Sequence, residues 1–320
     1  MKRFIIRVIA FISLSLVFLL TFEISTSAYI SLKADFKLES NPKYIILGHS
    51  HATYAYNDSL IEEFANLSTP GETYFYAFLK TRKILEQNDS IKIVFIEYSN
   101  NNIDQEMDNK IWGDKILFGR YPVFSSFAGF KEHFILLSNN FKGYVKVMGV
   151  SSYYKMRIIL QNNLDFTKNI GHYGLKDETL VDSLVNVSFK TDFKESSSIT
   201  NYTISDTNLE YLVKMLSLCK EFNKKVILIR TPIHECFPSY FNESIYQKLL
   251  KPLLINAEYM DLSKLPLRNS DFYDFEHLNY SGATKYSIWF NMLLKEGFLD
   301  DRINQKLLTE KIKSFPDMMN

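Results

Sequence analysis

The residues best suited to chemistry lie near opposite ends of the sequence. Ser50 follows an apolar run and Gly48, where a strand is expected to give way to a helix. Asp274 and His277 lie three residues apart in a polar stretch that precedes an amphipathic segment. A serine hydroxyl becomes a good nucleophile when a histidine takes its proton and a carboxylate orients that histidine. Together the three residues predict acyl-transfer chemistry at one site.

Each stretch also has an ordinary structural explanation. Serine commonly caps the first turn of a helix, and Ser50 alone fits that role. An Asp-x-x-His stretch fits a surface turn in which the aspartate bonds the backbone. The combination favours a catalytic site, because both stretches accompany the strands of one predicted sheet.

Five short apolar runs predict those strands, at residues 44–47, 64–67, 91–98, 225–229 and 257–262. Segments with helical periodicity alternate with them, at residues 72–87, 208–222, 245–254 and 282–295. This alternation is typical of a three-layer α/β/α sandwich with a five-stranded, mainly parallel sheet. Sites in such sheets form beyond the carboxyl ends of the strands, which is where Ser50 is expected.

The domain organisation follows from where this alternation breaks. Residues 35–300 are predicted to form one α/β domain, interrupted by a mostly helical and loop insertion at 103–207 and followed by a C-terminal tail at 301–320. Inside the insertion, helices are predicted near 130–137 and 153–160, and a loop at 190–207. A long insertion often covers a binding site, although extra packing is an equally good explanation.

The N-terminal segment, residues 1–34, has the charge pattern of a signal anchor. Lys2, Arg3 and Arg7 precede the uncharged stretches 8–22 and 24–32, which Glu23 separates. The segment suits an uncleaved membrane span or a cleaved signal peptide, and the span is preferred. Basic residues before the apolar run predict a cytoplasmic N-terminus. The domain is therefore expected to be membrane-anchored and extracytoplasmic, in a periplasm or on the outer face of the membrane.

Composition excludes one class of partner. Lys and Arg total 37 against 36 for Asp and Glu, so the basic surplus that nucleic-acid binding requires is missing. The two cysteines, Cys219 and Cys236, are predicted to be structural or free, and an exported domain could join them in a disulfide.

With these residues in view, the chain resembles the SGNH, or GDSL-type, hydrolase superfamily over about residues 43–102 and 224–296. Members have a serine after the first strand and an Asp-x-x-His near the C-terminus, which Ser50, Asp274 and His277 match. The resemblance implies a flavodoxin-like sheet and an oxyanion hole formed by backbone N–H groups of Ser50 and Gly71 and the side chain of Asn100. Two motifs depart from the usual pattern, and the asparagine assignment could shift by one residue to Asn101.

The resemblance extends, more loosely, to membrane-anchored envelope members such as alginate O-acetyltransferases and the D-alanylation proteins of lipoteichoic acid synthesis. It implies a serine-dependent esterase or O-acyltransferase that acts on an acylated cell-envelope glycan and needs no cofactor. A membrane-embedded acyl donor protein is the partner that such chemistry suggests.

Two other functions remain open from the sequence. His49 and His51 could bind zinc with Asp274, His277 or His234, as in some metal-dependent hydrolases. The fold could instead serve a glycan-binding or assembly protein without turnover. His49, His51, Asn101 and His234 are also candidate substrate contacts, although an ordinary loop histidine is the simpler explanation for His234.

Overall fold

The computed structural model describes residues 1–177, 181, 203–237 and 242–315. The chain divides into two compact units. The first comprises Met1–Phe36 and Ile111–Asn169, and the second comprises Lys37–Lys110 and Ile170–Asn320.

We number the described strands and helices in chain order. The strands are β1 (Tyr44–Leu47), β2 (Phe64–Asn66), β3 (Ile93–Glu97), β4 (Lys225–Arg230) and β5 (Glu258–Asp261). The helices are α1 (Lys2–Lys33), α2 (Ser50–Ala55), α3 (Tyr74–Gln87), α4 (Glu106–Trp112), α5 (Asp114–Phe124), α6 (Phe130–Asn139), α7 (Phe141–Leu160), α8 (Asp206–Glu221), α9 (Glu243–Leu253), α10 (Tyr280–Lys295) and α11 (Gln305–Lys313).

The second unit is built on the predicted sheet. Its five strands all pair in parallel in the order β2-β1-β3-β4-β5. Side chains of β1 and β3 are buried on both faces, as expected where helices cover both sides of a parallel sheet. The prediction of a three-layer α/β/α fold with a five-stranded parallel sheet is confirmed.

The strand order determines where a ligand can approach. The chain moves from β1 to β2 in one direction across the sheet and from β1 to β3, β4 and β5 in the other. Crevices in open α/β sheets form beyond the carboxyl ends of the strands where this direction reverses, here between β1 and β3. Ser50 lies three residues after the end of β1, and Asn100 and Asn101 lie shortly after the end of β3.

The C-terminal segment, predicted as a tail from residue 301, contains α11 and belongs to the hydrophobic core. Leu308 of this helix and the following Phe315 are almost fully buried, and Phe315 packs edge-on against Trp289 of α10. Only residues 316–320 of the tail lie outside the described part of the chain. The apolar pattern around Leu307, Leu308 and Ile312 is too short to predict this helix from the sequence.

The first unit combines the N-terminal helix with the central part of the predicted insertion. The helices predicted near 130–137 and 153–160 are present and longer, as α6 and α7, and α5 precedes them. Residues 190–202 of the predicted loop lie outside the described residues. The most apolar window of α1 has a mean hydropathy of 2.5 and no buried residue, so α1 is long and apolar enough to cross a membrane.

Candidate active site

Ser50, His277 and Asp274 form one hydrogen-bonded chain. The Oγ atom of Ser50 lies 2.8 Å from Nε2 of His277. The Nδ1 atom of the same ring lies 2.9 Å from each carboxylate oxygen of Asp274. With the proton on Nδ1, this ring donates to Asp274 and accepts the proton of Ser50. The arrangement has the geometry of a nucleophile, a general base and an orienting carboxylate.

A tight turn between β5 and α10 holds the acid and the base in register. The backbone N–H of Tyr273 donates to the carbonyl of His277 at 2.9 Å, which closes the turn. Inside it, Asp274 Oδ1 accepts backbone N–H bonds from Glu276 and His277. Burial alone would raise the pKa of Asp274, but the bonds from the His277 ring and from these N–H groups lower it. Asp274 is thus kept ionised.

The nucleophile is positioned by the neighbouring strand. Glu97, the last residue of β3, is fully buried, and its Oε2 accepts the backbone N–H of His49 at 2.9 Å and that of Ala52 at 3.2 Å. A Cβ atom on Gly48 would lie only 2.6 Å from Glu97 Cβ and Oε2. Gly48 is therefore required for the close approach of this carboxylate, and its φ is not positive.

His49 and His51 belong to a buried chain of side chains beneath the triad. His49 Nε2 lies 3.1 Å from Glu97 Oε1, and His51 Nδ1 lies 3.4 Å from the same oxygen. On its other side, His51 Nε2 lies 3.3 Å from Glu276 Oε2. The chain links the nucleophile turn, the end of β3 and the Asp-His turn, so these two histidines support the site from below.

Burial and hydrogen bonding both shift the pKa values of the side chains in this chain. Desolvation lowers the pKa of His49 well below its ordinary value, which keeps this histidine neutral. Desolvation also raises the pKa of Glu97, against the lowering effect of His51 and of the two backbone bonds. For the half-buried Glu276, the hydrogen bond from His51 lowers the pKa.

Among the described residues, two groups of these side chains could hold a metal ion. Ligand atoms of His49, His51 and Glu97 lie within 4.8 Å of one another, and so do those of His51, Glu276 and His277. The zinc set predicted from the sequence is only partly assembled, because Asp274 is bonded to His277 and His234 to Asn269. The two groupings also use opposite nitrogens of His51 toward Glu97 and Glu276, so they cannot share one ion through a single nitrogen.

The two predicted asparagines have different surroundings. The amide of Asn100 is buried and donates to Asn242 at 2.6 Å and to Glu243 at 3.2 Å, while its carbonyl accepts from Arg230. The amide of Asn101 donates to Glu276 Oε2 at 3.1 Å, next to the triad. Both residues lie in a 3₁₀ turn, where successive side chains point about 120° apart. Asn101, not Asn100, therefore faces the site.

The sequence also predicted two backbone donors, the N–H groups of Ser50 and Gly71. Those of His51 and Ala52 are taken by His49 and Glu97, whereas that of Ser50 has no partner among the described residues. Gly71 lies in the β2–α3 loop with a φ of 67°, a left-handed conformation that favours glycine. This loop is tied to the nucleophile turn because Thr69 N–H donates to the Gly48 carbonyl at 3.1 Å.

His234 lies behind the Asp-His turn. Its ring stacks on Phe275 with centroids 5.2 Å apart, its Nε2 lies 3.0 Å from Asn269 Oδ1, and it is almost fully buried. It also lines a cavity of about 540 Å³ with Asn269 and Phe272. These contacts give it a structural role at this turn, and the structure contains no contact between His234 and the triad among the described residues.

Several residues at the site were not singled out from the sequence. Tyr54 packs edge-on against the His277 ring, and Lys176 lies over the rings of Tyr54 and Tyr273. Glu97 had a usable signal, a charged residue at the end of an otherwise apolar strand. Glu276 had one as well, since it lies between Asp274 and His277. Cys219 and Cys236 are both free thiols.

Comparison with known proteins adds little to this geometry. A model of an uncharacterised protein family matches residues 151–299. The match contains Asp274 and His277 and begins after Ser50. No curated protein matches the chain.

Proposed function

We propose that the chain is a serine-dependent acyl-ester hydrolase or O-acyltransferase that acts on an acylated cell-envelope glycan. The observation that supports this most is the continuous hydrogen-bonded chain from Ser50 through His277 to Asp274. A serine that merely caps a helix needs no histidine at 2.8 Å, and a surface turn needs no serine from the other end of the sequence. The envelope glycan is the substrate class that the resemblance implies.

In the proposed reaction, Ser50 Oγ attacks the ester carbonyl while His277 Nε2 takes its proton. Asp274 stabilises the imidazolium that forms and keeps the ring oriented. The alcohol leaves with the proton from His277, and the acyl group remains on Ser50. Water then yields the free acid, whereas a sugar hydroxyl yields a new ester, and either acceptor gives its proton to His277.

The negative charge on the carbonyl oxygen requires donors that are already in place. The N–H of Ser50 and that of Gly71 are the backbone candidates, and Asn101 supplies the side-chain amide in place of Asn100. This amide donates a hydrogen bond to Glu276, and a substrate oxygen would replace that carboxylate as its acceptor. Preorganised donors of this kind are worth about 10²- to 10³-fold in kcat.

The proposed location follows from α1. An N-terminal helix that can span a membrane, with basic residues in its first turns, would place everything after it outside the cytoplasm. That side of the membrane is where acylated envelope glycans are found, and a membrane-embedded protein is the proposed acyl donor when the acceptor is a sugar.

The first experiment is hydrolysis of 4-nitrophenyl acetate by the full-length protein in detergent. We expect turnover in the parent and its loss in Ser50→Ala and in His277→Ala. The matched controls are Ser59→Ala and His172→Ala, which remove the same side chains from exposed positions of the same unit. Acetylation of the peptide that carries Ser50, detected by mass spectrometry, would identify the nucleophile.

Other outcomes would favour the competing functions. Turnover that survives in Ser50→Ala but disappears with a chelator would favour a metal site at His49, His51 and Glu97. A folded parent with no turnover on simple esters, with or without added sugar acceptors, would contradict the proposal and favour a non-catalytic glycan-binding or assembly protein.

A further inference from the structure

The helices α6 and α7 of the first unit carry a row of large apolar side chains that the described protein does not cover. Phe130 is 86% exposed, Phe134 58%, Phe141 66% and Val145 52%. We call these four residues the hairpin face. Soluble surfaces rarely concentrate so many exposed aromatic residues, and such patches generally mark a protein or membrane contact.

The charge around the hairpin face identifies its chemistry. Residues 130–160 contain four lysines and one arginine but a single glutamate, whereas the whole chain has a net charge of only +1. Lys142 and Lys146 follow Phe141 and Val145 by one residue, so they lie about 100° further around α7. An apolar stripe flanked by lysines is typical of helices that lie on a bilayer with anionic lipid.

The contacts of α1 indicate which side of the unit faces the membrane. Glu23 of α1 binds Ser152 of α7, and it binds Lys155 at 2.6 Å, while Ser27 binds Lys155 at 2.8 Å. The two helices therefore run in the same direction where they meet. From this contact, the apolar N-terminal half of α1 extends the same way as the part of α7 that leads back from Lys155 to Phe141. The N-terminal half of α7 lies on the same side of this crossing as the apolar half of α1.

We propose that the hairpin face lies on the surface of the bilayer that α1 enters, with the neighbouring lysines contacting anionic lipid headgroups. This inference rests on the proposed membrane insertion of α1. It does not depend on catalysis. The lysines beside the hairpin face, and its place in the same compact unit as α1, select a bilayer over a second copy of the chain. The consequence is that the first unit is held to the membrane at two places.

The test uses the full-length chain with Cys236→Ser and one new cysteine, labelled with a nitrobenzoxadiazole dye. Cys219 stays because it is buried. The chain is reconstituted into phosphatidylcholine vesicles that contain phosphatidylglycerol and a lipid with a doxyl quencher. We expect blue-shifted emission and several-fold stronger quenching at Phe134→Cys and Val145→Cys than at the exposed control Gln161→Cys, which lies beyond the crossing.

Leu14→Cys, in α1, distinguishes the proposed membrane anchor from the proposed lipid contact of the hairpin face. Quenching at Leu14→Cys but not at the hairpin face would overturn the inference and leave the anchor intact, whereas no quenching at Leu14→Cys would contradict the anchor itself. Emission shifts at the hairpin face that grow with protein concentration in detergent would assign the face to a second copy.

Lys131, Lys142 and Lys146 changed together to Gln should reduce quenching to the value in vesicles without phosphatidylglycerol. Equal quenching in both kinds of vesicle would overturn the lipid contact assigned to these lysines.

Discussion

The carboxylate of Glu97 lies 2.9 Å from the backbone nitrogen of His49, the residue immediately before Ser50. Its other backbone contact, to Ala52, lies on the far side of the serine. A fully buried side chain from β3 thus holds the turn after β1 at two points. The position of Ser50 depends on the pairing of β1 with β3 as well as on its own helix.

Gly48→Ala is expected to reduce kcat strongly. The new Cβ atom would lie 2.6 Å from Glu97, so the carboxylate or the turn must move. A displacement of about 1 Å at a catalytic group can cost about 10²-fold in rate. The measurement is kcat on an aryl acetate together with thermal stability. Gly119→Ala is the control, because no atom lies within 4 Å of a Cβ there. Unchanged kcat in Gly48→Ala would contradict the positioning role of Glu97.

Asn101→Ala and Asn100→Ala are expected to affect different properties, kcat in the first variant and folding stability in the second. Asn101→Ala is expected to lower kcat by about 10²- to 10³-fold, because it removes a proposed oxyanion donor. Asn100→Ala removes the buried side-chain hydrogen bonds to Arg230, Asn242 and Glu243, and the expected cost is about 1–3 kcal/mol of folding stability. Kinetics and denaturant unfolding of both variants provide the measurement. A larger loss of kcat in Asn100→Ala would return the oxyanion role to that residue.

Asp274→Asn should leave the fold intact and lower kcat by about 10⁴-fold, because the amide favours the wrong tautomer of His277. In the parent, the hydrogen bonds to Asp274 lower its pKa below the ordinary value of about 4. A group with a depressed pKa is ionised throughout the range above its ordinary value. The kcat/KM profile of the parent should therefore contain no ionisation of Asp274 above pH about 4. Retention of most of the activity in Asp274→Asn would argue against the triad.

His49 should make the stability of the protein depend on pH. Burial keeps the folded His49 neutral, whereas the unfolded residue takes up a proton below pH about 6.5. The unfolded state then binds more protons, so stability falls with decreasing pH by up to about 1.4 kcal/mol per unit. Denaturation of the full-length protein in detergent at pH about 7.5 and about 5 measures this loss. It should be smaller in His49→Gln, and an equal loss in both proteins would refute the assignment to His49.

The sequence predicted the sheet and the triad because their signals are local. Each strand is a short apolar run, and Ser50, Asp274 and His277 have residue types that few other functions combine. The asparagine was harder, since residues 100–102 are all asparagine and only the 3₁₀ turn determines which amide faces the site. Glu97 had a local signal, as a charged residue at the end of an apolar strand, but its contact with the turn at Gly48 depends on how β1 pairs with β3. Residues 111–169 have no strand to fix their register, so their packing into a unit with α1 had no sequence signal.

Under the proposed mechanism, the separation of Ser50 and His277 by 227 residues also determines when the site can form during synthesis. Chains emerge from the ribosome N-terminus first, and domains fold as units. A growing chain therefore carries Ser50, the proposed nucleophile, long before it has His277, the proposed base. Between these two events β3, β4 and β5 must all join the sheet, since the Asp-His turn follows β5. Ser50 therefore cannot meet its proposed base until nearly the whole chain has been made.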